Sequence, residues 1–165
     1  MQEPNSVDHN AIRTAQLLTM ATLLAALLAQ RWEPVAALAL VFLITALHFP
    51  AGPFVLFYRK VLWPLRLVRP DLRVDHLQPH RFGQAVGAAS AAAAAWLLYA
   101  GFPTVGWSLV AVLILLTFVS FRGWCIGCFM YFQLYRLGLR GFFGRAPTDA
   151  RRIAGSRPGK DLPPS

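Results

Sequence analysis

The forty residues 82–121, FGQAVGAASAAAAAWLLYAGFPTVGWSLVAVLILLTFVSF, decide the fold. They contain no Asp, Glu, Lys or Arg and are broken once, at Gly101-Phe102-Pro103. A helix on the surface of a water-soluble protein shows a polar face repeating every 3.6 residues. No such face is present in this stretch. Crossing the hydrocarbon of a bilayer takes about 20 apolar residues, so the stretch reads as two spans, 82–101 and 103–121, joined by a tight turn. Upstream, two shorter uncharged runs at 14–30 and 34–49 complete a set of four, with Arg13 and Arg31 able to snorkel from their ends. The first run is not read as a cleavable signal, because a polar, acidic segment precedes it and no small-residue cleavage pattern follows.

Charge is sparse and segregated. The chain has 165 residues, 56% hydrophobic and 14% charged, with a net charge of +9. Arg59, Lys60, Arg66, Arg69, Arg73 and Arg81 lie between the second and third runs, and seven further basic residues from Arg136 to Lys160 follow the fourth. The turn after the first run holds only Arg31, balanced by Glu33, and the turn at Gly101 is uncharged. Basic loops favour the cytoplasm, so both termini and the central loop are expected inside a cell inner membrane. The same distribution fits lipid headgroups better than nucleic acid, for which no base-reading or stacking element is found.

The expected architecture is an all-α membrane protein of four transmembrane helices arranged as two helical hairpins. A cytoplasmic segment at 1–10 leads into a four-span domain at 11–140, which includes an interfacial segment at 52–81. A basic tail at 141–165 follows, rich in Gly, Pro, Arg and Ser. Within the interfacial segment, residues 54–68 form an amphipathic surface helix bent at Pro64, with Trp63 as an interface anchor, or an irregular basic loop.

An internal repeat is expected. Val7-Asp8-His9 recurs as Val74-Asp75-His76, each followed by an Arg and a Gln three apart: Arg13 and Gln16, then Arg81 and Gln84. The first hairpin ends in Pro50-Ala51-Gly52-Pro53-Phe54, the second in Cys125-Ile126-Gly127-Cys128-Phe129. Two-span units keep the same orientation, so the copies would be related by an axis along the membrane normal. Gly83, Gly87, Ala91 and Ala95 form a ladder that lets helix backbones approach, within the bundle or between protomers of a homo-oligomer.

Soft chemistry is confined to Cys125 and Cys128, the two cysteines of the chain. A helix beginning at Trp124, together with Arg122, would lower the pKa of Cys125. That is the case for a reactive dithiol; two small residues at a helix junction are the plainer account. A soft-metal site built from Cys125, Cys128 and His48 would suit copper(I) or zinc but lacks a fourth ligand. Asp8 and Asp75 are expected to cap helices or pair with Arg13 and Arg81, and Gln16 and Gln84 to hydrogen-bond between helices. No phosphate loop, serine triad, paired intramembrane carboxylates or cofactor motif is found.

Over roughly residues 7–137 the chain resembles domain-of-unknown-function family 4395, a family of bacterial multi-pass membrane proteins. The likeness rests on Val7-Asp8, on 53–59 with its Tyr-Arg, on Arg81-Phe82-Gly83-Gln84-Ala85-Val86-Gly87, and on Cys125-Ile126-Gly127-Cys128 with Tyr131. The resemblance implies thiol chemistry in company with thioredoxin-like or sulfur-carrier proteins, carries Cys125 and Cys128 over as the family's thiol pair, and assigns them no reaction. By analogy alone, four-helix oxidoreductases related to vitamin K epoxide reductase also place such a pair at a helix end, but they use a second pair that this chain lacks. The expectation is therefore thiol–disulfide exchange or sulfur handling at the cytoplasmic membrane face, with a non-enzymatic scaffold or soft-metal binder as the alternative.

Overall fold

The computed structural model describes residues 5–48, 52–65, 71–75 and 77–137, with the side chains of 5–7, 72–75, 77 and 135 excepted. Pro50, Ala51, His76, Arg66, Arg69 and the tail lie outside the described residues. In chain order the elements are β1 (Asn5–Asp8), α1 (His9–Ala29), α2 (Glu33–Leu47), α3 (Pro53–Phe57) continued by a π-helical turn (Tyr58–Leu62), β2 (Leu72–Asp75), α4 (Leu77–Tyr99), α5 (Pro103–Phe121) and α6 (Ile126–Arg136). Apart from the two four-residue strands, regular structure among the described residues is helical.

At 1.5 Å per residue, α1, α4 and α5 reach about 32, 35 and 29 Å, enough for a hydrocarbon layer of about 30 Å. All three are long and apolar enough to cross a membrane. α2 has 15 residues and reaches only about 22 Å. The long helices contact one another in a closed ring: α1 with α2, α2 with α4, α4 with α5, and α5 with α1. The core holds Leu23, Val35, Leu38, Ala91, Ala94 and Val110. The small-residue ladder of α4 serves packing inside this bundle: Ala91 and Ala95 are buried in the core, and Gly87 lies against Phe42 of α2. Leu40, Leu43, Ile44 and Leu47 of α2 are exposed, as are Leu115 and Phe118 of α5, which gives the bundle an apolar exterior.

One end of the bundle is organised by polar side chains. Asp8 caps α1, its Oδ1 accepting from the N–H groups of Asn10 (3.0 Å) and Ala11 (3.4 Å), as the capping expectation required. The same oxygen accepts the Asp71 N–H at 3.1 Å, tying the start of α1 to β2. β1 and β2 pair antiparallel, with Ser6 opposite Val74 and Val7 opposite Arg73. Arg81 donates through Nε to the Ala46 carbonyl at 2.8 Å and lies 3.4 Å from that of Leu47. It therefore satisfies the carbonyl end of α2 with a cation where the helix dipole is negative. Arg13 lies over the Phe121 ring at the end of α5, 5.4 Å from its centroid.

The interfacial segment differs from the single bent surface helix. Its helical part runs from Pro53 to Leu62, tightly packed at first through buried Val55 and Tyr58 against Ala11 of α1, then ends in a turn at residues 63–65. Pro64 has no N–H and its ring clashes with the preceding turn, so the helix stops rather than bends. Burial, and then the charge of nearby Asp8, push the Tyr58 hydroxyl up to about 12.

Candidate functional site

The chain leaves α5 through Arg122, whose N–H still bonds to the Phe118 carbonyl, and reverses at Gly123 with φ +111°. An L side chain adopts that conformation only with strain. The reversal brings Cys125 to the start of α6. Its carbonyl accepts the Phe129 N–H at 2.9 Å, and its Sγ lies 3.3 Å from the Cys128 nitrogen as acceptor. Cys125 is thus the N-cap of α6, its sulfur standing where a Ser or Asp oxygen usually sits. The helix begins at Ile126, not Trp124, and this shift makes the two thiols the cap and the third helical residue.

Gly127 explains why the motif sits where it does. α6 crosses α4 at Gly83, and a Cβ built on Gly127 would lie 2.7 Å from Gly83 Cα. Real Cβ atoms do not approach backbone that closely, so the glycine inside the cysteine motif is needed for α6 to lie flat on α4. Tyr131, one turn on, is buried against Phe82 with ring centroids 5.8 Å apart. The Cys125 sulfur is thereby brought 4.0 Å from where a Cβ on Gly83 would stand.

Cys125 lies beyond the last residue of α5, outside the spanning helices, and is partly buried; Cys128 is buried, and both are free thiols. The hydrogen bond from the Cys128 thiol pulls the Cys125 pKa down to about 6. Burial opposes this, while the Cys128 N–H, the charge of His80 and the Ser120 hydroxyl act in the same direction. A cysteine with a depressed pKa is largely thiolate, the nucleophilic form, at neutral pH.

Cys125 and Cys128 both line a half-open cavity of about 230 Å³ at the end of the bundle, walled by α1, α2, α4, α5 and α6. Gln16 spans it, donating through Nε2 to Ser120 Oγ at 2.8 Å and so joining α1 to α5. His80, Gln84 and Phe54 also line it, and the His80 ring stands edge-on to buried His9 at 6.3 Å between centroids. Among the residues singled out in the sequence, Gln84 therefore lines the same cavity as the thiols, whereas Arg81 holds the end of α2. Arg122 is an exposed C-cap, and the lowering of Cys125 comes from Cys128, His80 and Ser120 instead. His48 is the exposed C-cap of α2. Among the described residues no three His, Cys, Asp or Glu come together to hold a metal ion, so the set of Cys125, Cys128 and His48 is not assembled.

Sequence reasoning missed His80 and Ser120 as neighbours of the thiol. Ser120 lies within an apolar run and His80 is 45 positions from Cys125, so no local pattern joins them. The Arg-Phe-Gly block at 81–83 held the one usable clue, since a glycine there permits the crossing.

Fold and site together define a helical protein with spans apolar enough for a membrane and a cysteine pair facing a cavity at one end of the bundle. The chain belongs to the family described as Domain of unknown function (DUF4395), which it matches over residues 7–136. Neither a curated protein nor a solved structure matches it.

Proposed function

We propose that the protein carries out thiol–disulfide exchange or sulfur transfer at the cytoplasmic face of the inner membrane, with Cys125 as the attacking thiol and Cys128 as the resolving one. The observation that carries this reading is the placement of Cys125 as the sulfur N-cap of α6, facing the cavity. In the exchange, the Cys125 thiolate attacks a disulfide and forms a mixed disulfide, and the departing sulfur leaves as thiolate. Cys128 then loses its proton and attacks Cys125 Sγ, releasing the second sulfur. The pair ends oxidised and the partner reduced by two electrons. With two cysteines in the chain, the electrons must come from or go to an outside partner, of which a thioredoxin-like or sulfur-carrier protein is one candidate.

Four membrane crossings by two related hairpins support the cytoplasmic placement. The exposed apolar side chains of α2 favour a lipid contact for this short helix, which local thinning and flanking Arg31 would accommodate. Trp32 and Tyr99 meet edge-on at one end, with ring centroids 5.4 Å apart, and Trp63 and Trp124 are exposed toward the other. Such aromatic belts mark both interfaces. The closed ring of contacts maps onto itself when α1 and α2 exchange with α4 and α5. So does the strand pairing, in which Ser6–Val74 and Val7–Arg73 are equivalent under the repeat. The basic residues of the central loop then fix the thiol end inward.

The test is trapping in membranes. Cys128→Ser accumulates a mixed disulfide at Cys125, identified by mass spectrometry whether its other half is a protein or a small thiol, and Cys125→Ser accumulates none. The reverse pattern, or trapping by neither variant, overturns the reading.

A further inference from the structure

The cavity beside the thiols is a groove with a direction. Its wall runs along α1 from His9 to Thr19, along α4 from His80 to Ser90, and along α5 from Ser120 back to Leu113. The helical rise makes these lengths about 15, 15 and 10 Å, so the groove follows the helix axes from the thiol end into the bundle. Its two ends differ in chemistry. The titratable residues of the described wall are His9, His80, Cys125 and Cys128, all at the thiol end. Farther in, the wall is formed by Phe42, Leu113 and Leu116 among others. Polar side chains along it turn away from the space. Thr45 and Thr117 donate their hydroxyl protons to the carbonyls of Val41 and Leu113. Gln16 gives its Nε2 to Ser120, and its Oε1 is enclosed in the packing. A molecule whose sulfur meets partly exposed Cys125 therefore has an apolar channel on one side and the charged thiol end on the other.

We infer that the substrate of the thiol pair is an amphiphilic disulfide, one half an unbranched apolar chain lying in the groove and the other a polar or charged half left at the thiol end. This rests on the thiol-exchange reading and narrows it to a substrate class. With carbon–carbon bonds of about 1.5 Å, an extended chain advances about 1.25 Å per carbon, so about eight carbons fill 10 Å. Each CH₂ taken from water favours the bound state by up to about fourfold. Cys125 thiolate attacks the sulfur of the apolar half, the substrate S–S bond breaks, and the polar half leaves as thiolate. Cys128 then displaces the apolar half from Cys125. Two electrons pass from the pair to the substrate, and the Cys128 proton ends on the released apolar thiol.

The experiment uses the full chain carrying Cys128→Ser, which retains the mixed disulfide, in neutral detergent. The reagents are mixed disulfides of 2-mercaptoethanesulfonate with unbranched alkanethiols of two, four, eight and twelve carbons. Mass spectrometry soon after mixing reads which half remains on Cys125, and the denatured chain sets the reference ratio of alkyl to sulfonatoethyl adduct. The folded chain is expected to exceed that reference at least about tenfold with the eight-carbon tail, about twofold with the two-carbon tail, and to gain nothing more at twelve carbons. Added Ser90→Trp, which fills the groove, returns the eight-carbon ratio to the reference; added Phe42→Ala, which enlarges it, extends the gain to twelve carbons. Unfolding could imitate the first effect but not the second. The reference ratio with every tail overturns the substrate class while leaving thiol exchange standing. A ratio still rising at twelve carbons in the parent, or unmoved by both groove variants, puts the tail in the micelle and overturns the inference equally. Absence of any adduct on Cys125 at pH 8 overturns thiol exchange and this inference with it.

Discussion

Two short helices lie against long ones at the same end of the bundle, and only one carries a cysteine pair. α3 packs on α1 through Val55 and Tyr58, and α6 packs on α4 through Gly127 and Tyr131. Tyr58 and Tyr131 are among the most buried side chains of the protein. Each is five residues after the first residue of its helix, and Val55 and Cys128, both buried, are each two residues after it. Where α3 opens with Pro53, α6 opens behind Cys125. The difference lies in how the first turn is satisfied. Proline needs no partner for a missing N–H, whereas α6 gives its Cys128 N–H to a sulfur, a bond that adds to the larger effect of the Cys128 thiol in lowering the Cys125 pKa. The same packing solution carries proline and valine in one half and two thiols in the other.

The sharpest way to break this comparison is to remove the sulfur. Cys125→Ser should retain the cap through its hydroxyl, hence the fold and, at pH 5 where the thiolate adds little, a thermal stability close to the parent, while exchange and alkylation at this site disappear. Loss of stability of more than about 1 kcal/mol in thermal unfolding at pH 5 would mean that the serine fails as a cap. The α3 half of the comparison would then have no functional contrast.

Next in size is the pH response. An ordinary thiol ionises near 8.5, so a pKa of about 6 gives roughly 30-fold more thiolate at pH 7. The alkylation rate gains somewhat less, because nucleophilicity falls with pKa. The iodoacetamide rate of Cys125 should rise through about pH 6 and level off by pH 8. The folded pKa lies below the unfolded one, so the associated stability of the reduced protein is complete above the unfolded value of about 8.5 and is lost as pH falls through about 6. A midpoint at 8 or higher would show that the sulfur is not held by Cys128, His80 and Ser120.

The crossing itself comes third. Gly127→Ala places a methyl against the Gly83 backbone, which cannot rotate away, and should destabilise by about 1–3 kcal/mol, the range for overpacking. Thermal unfolding in detergent reads the loss directly, and an unchanged midpoint would mean that α6 does not need this glycine to lie on α4.

The spans were legible because hydrophobicity and charge are sufficient to find them. The fourth uncharged run, 103–121, coincides with α5, and the second, 34–49, nearly coincides with α2. α1 and α4 each begin five residues before their uncharged runs, at His9 and Leu77. Arg13 and Arg81 interrupt an apolar pattern but not a helix, since each finds a partner at the end of a neighbouring one. The cysteine pair was legible by spacing, and its environment was not. Which charge lowers a thiol depends on a reversal at Gly123 that turns Arg122 outward and brings His80 in from another helix.

The smallest effect tests whether the two halves are closed off alike at their starts. Asp8 caps α1 and holds the Asp71 N–H with one oxygen, so Asp8→Ala removes an N-cap worth about 1 kcal/mol and loosens β2 from α1. Because β2 leads directly into α4, and α4 carries Gly83 and His80, the loosening should travel to the thiol site as faster amide exchange at the start of α4. Asp8→Asn keeps an acceptor and should restore most of the protection. If Asp8→Ala leaves α4 unchanged, β1 and β2 merely join the starts of α1 and α4, and the position of His80 beside Cys125 is set by the α4–α6 crossing alone.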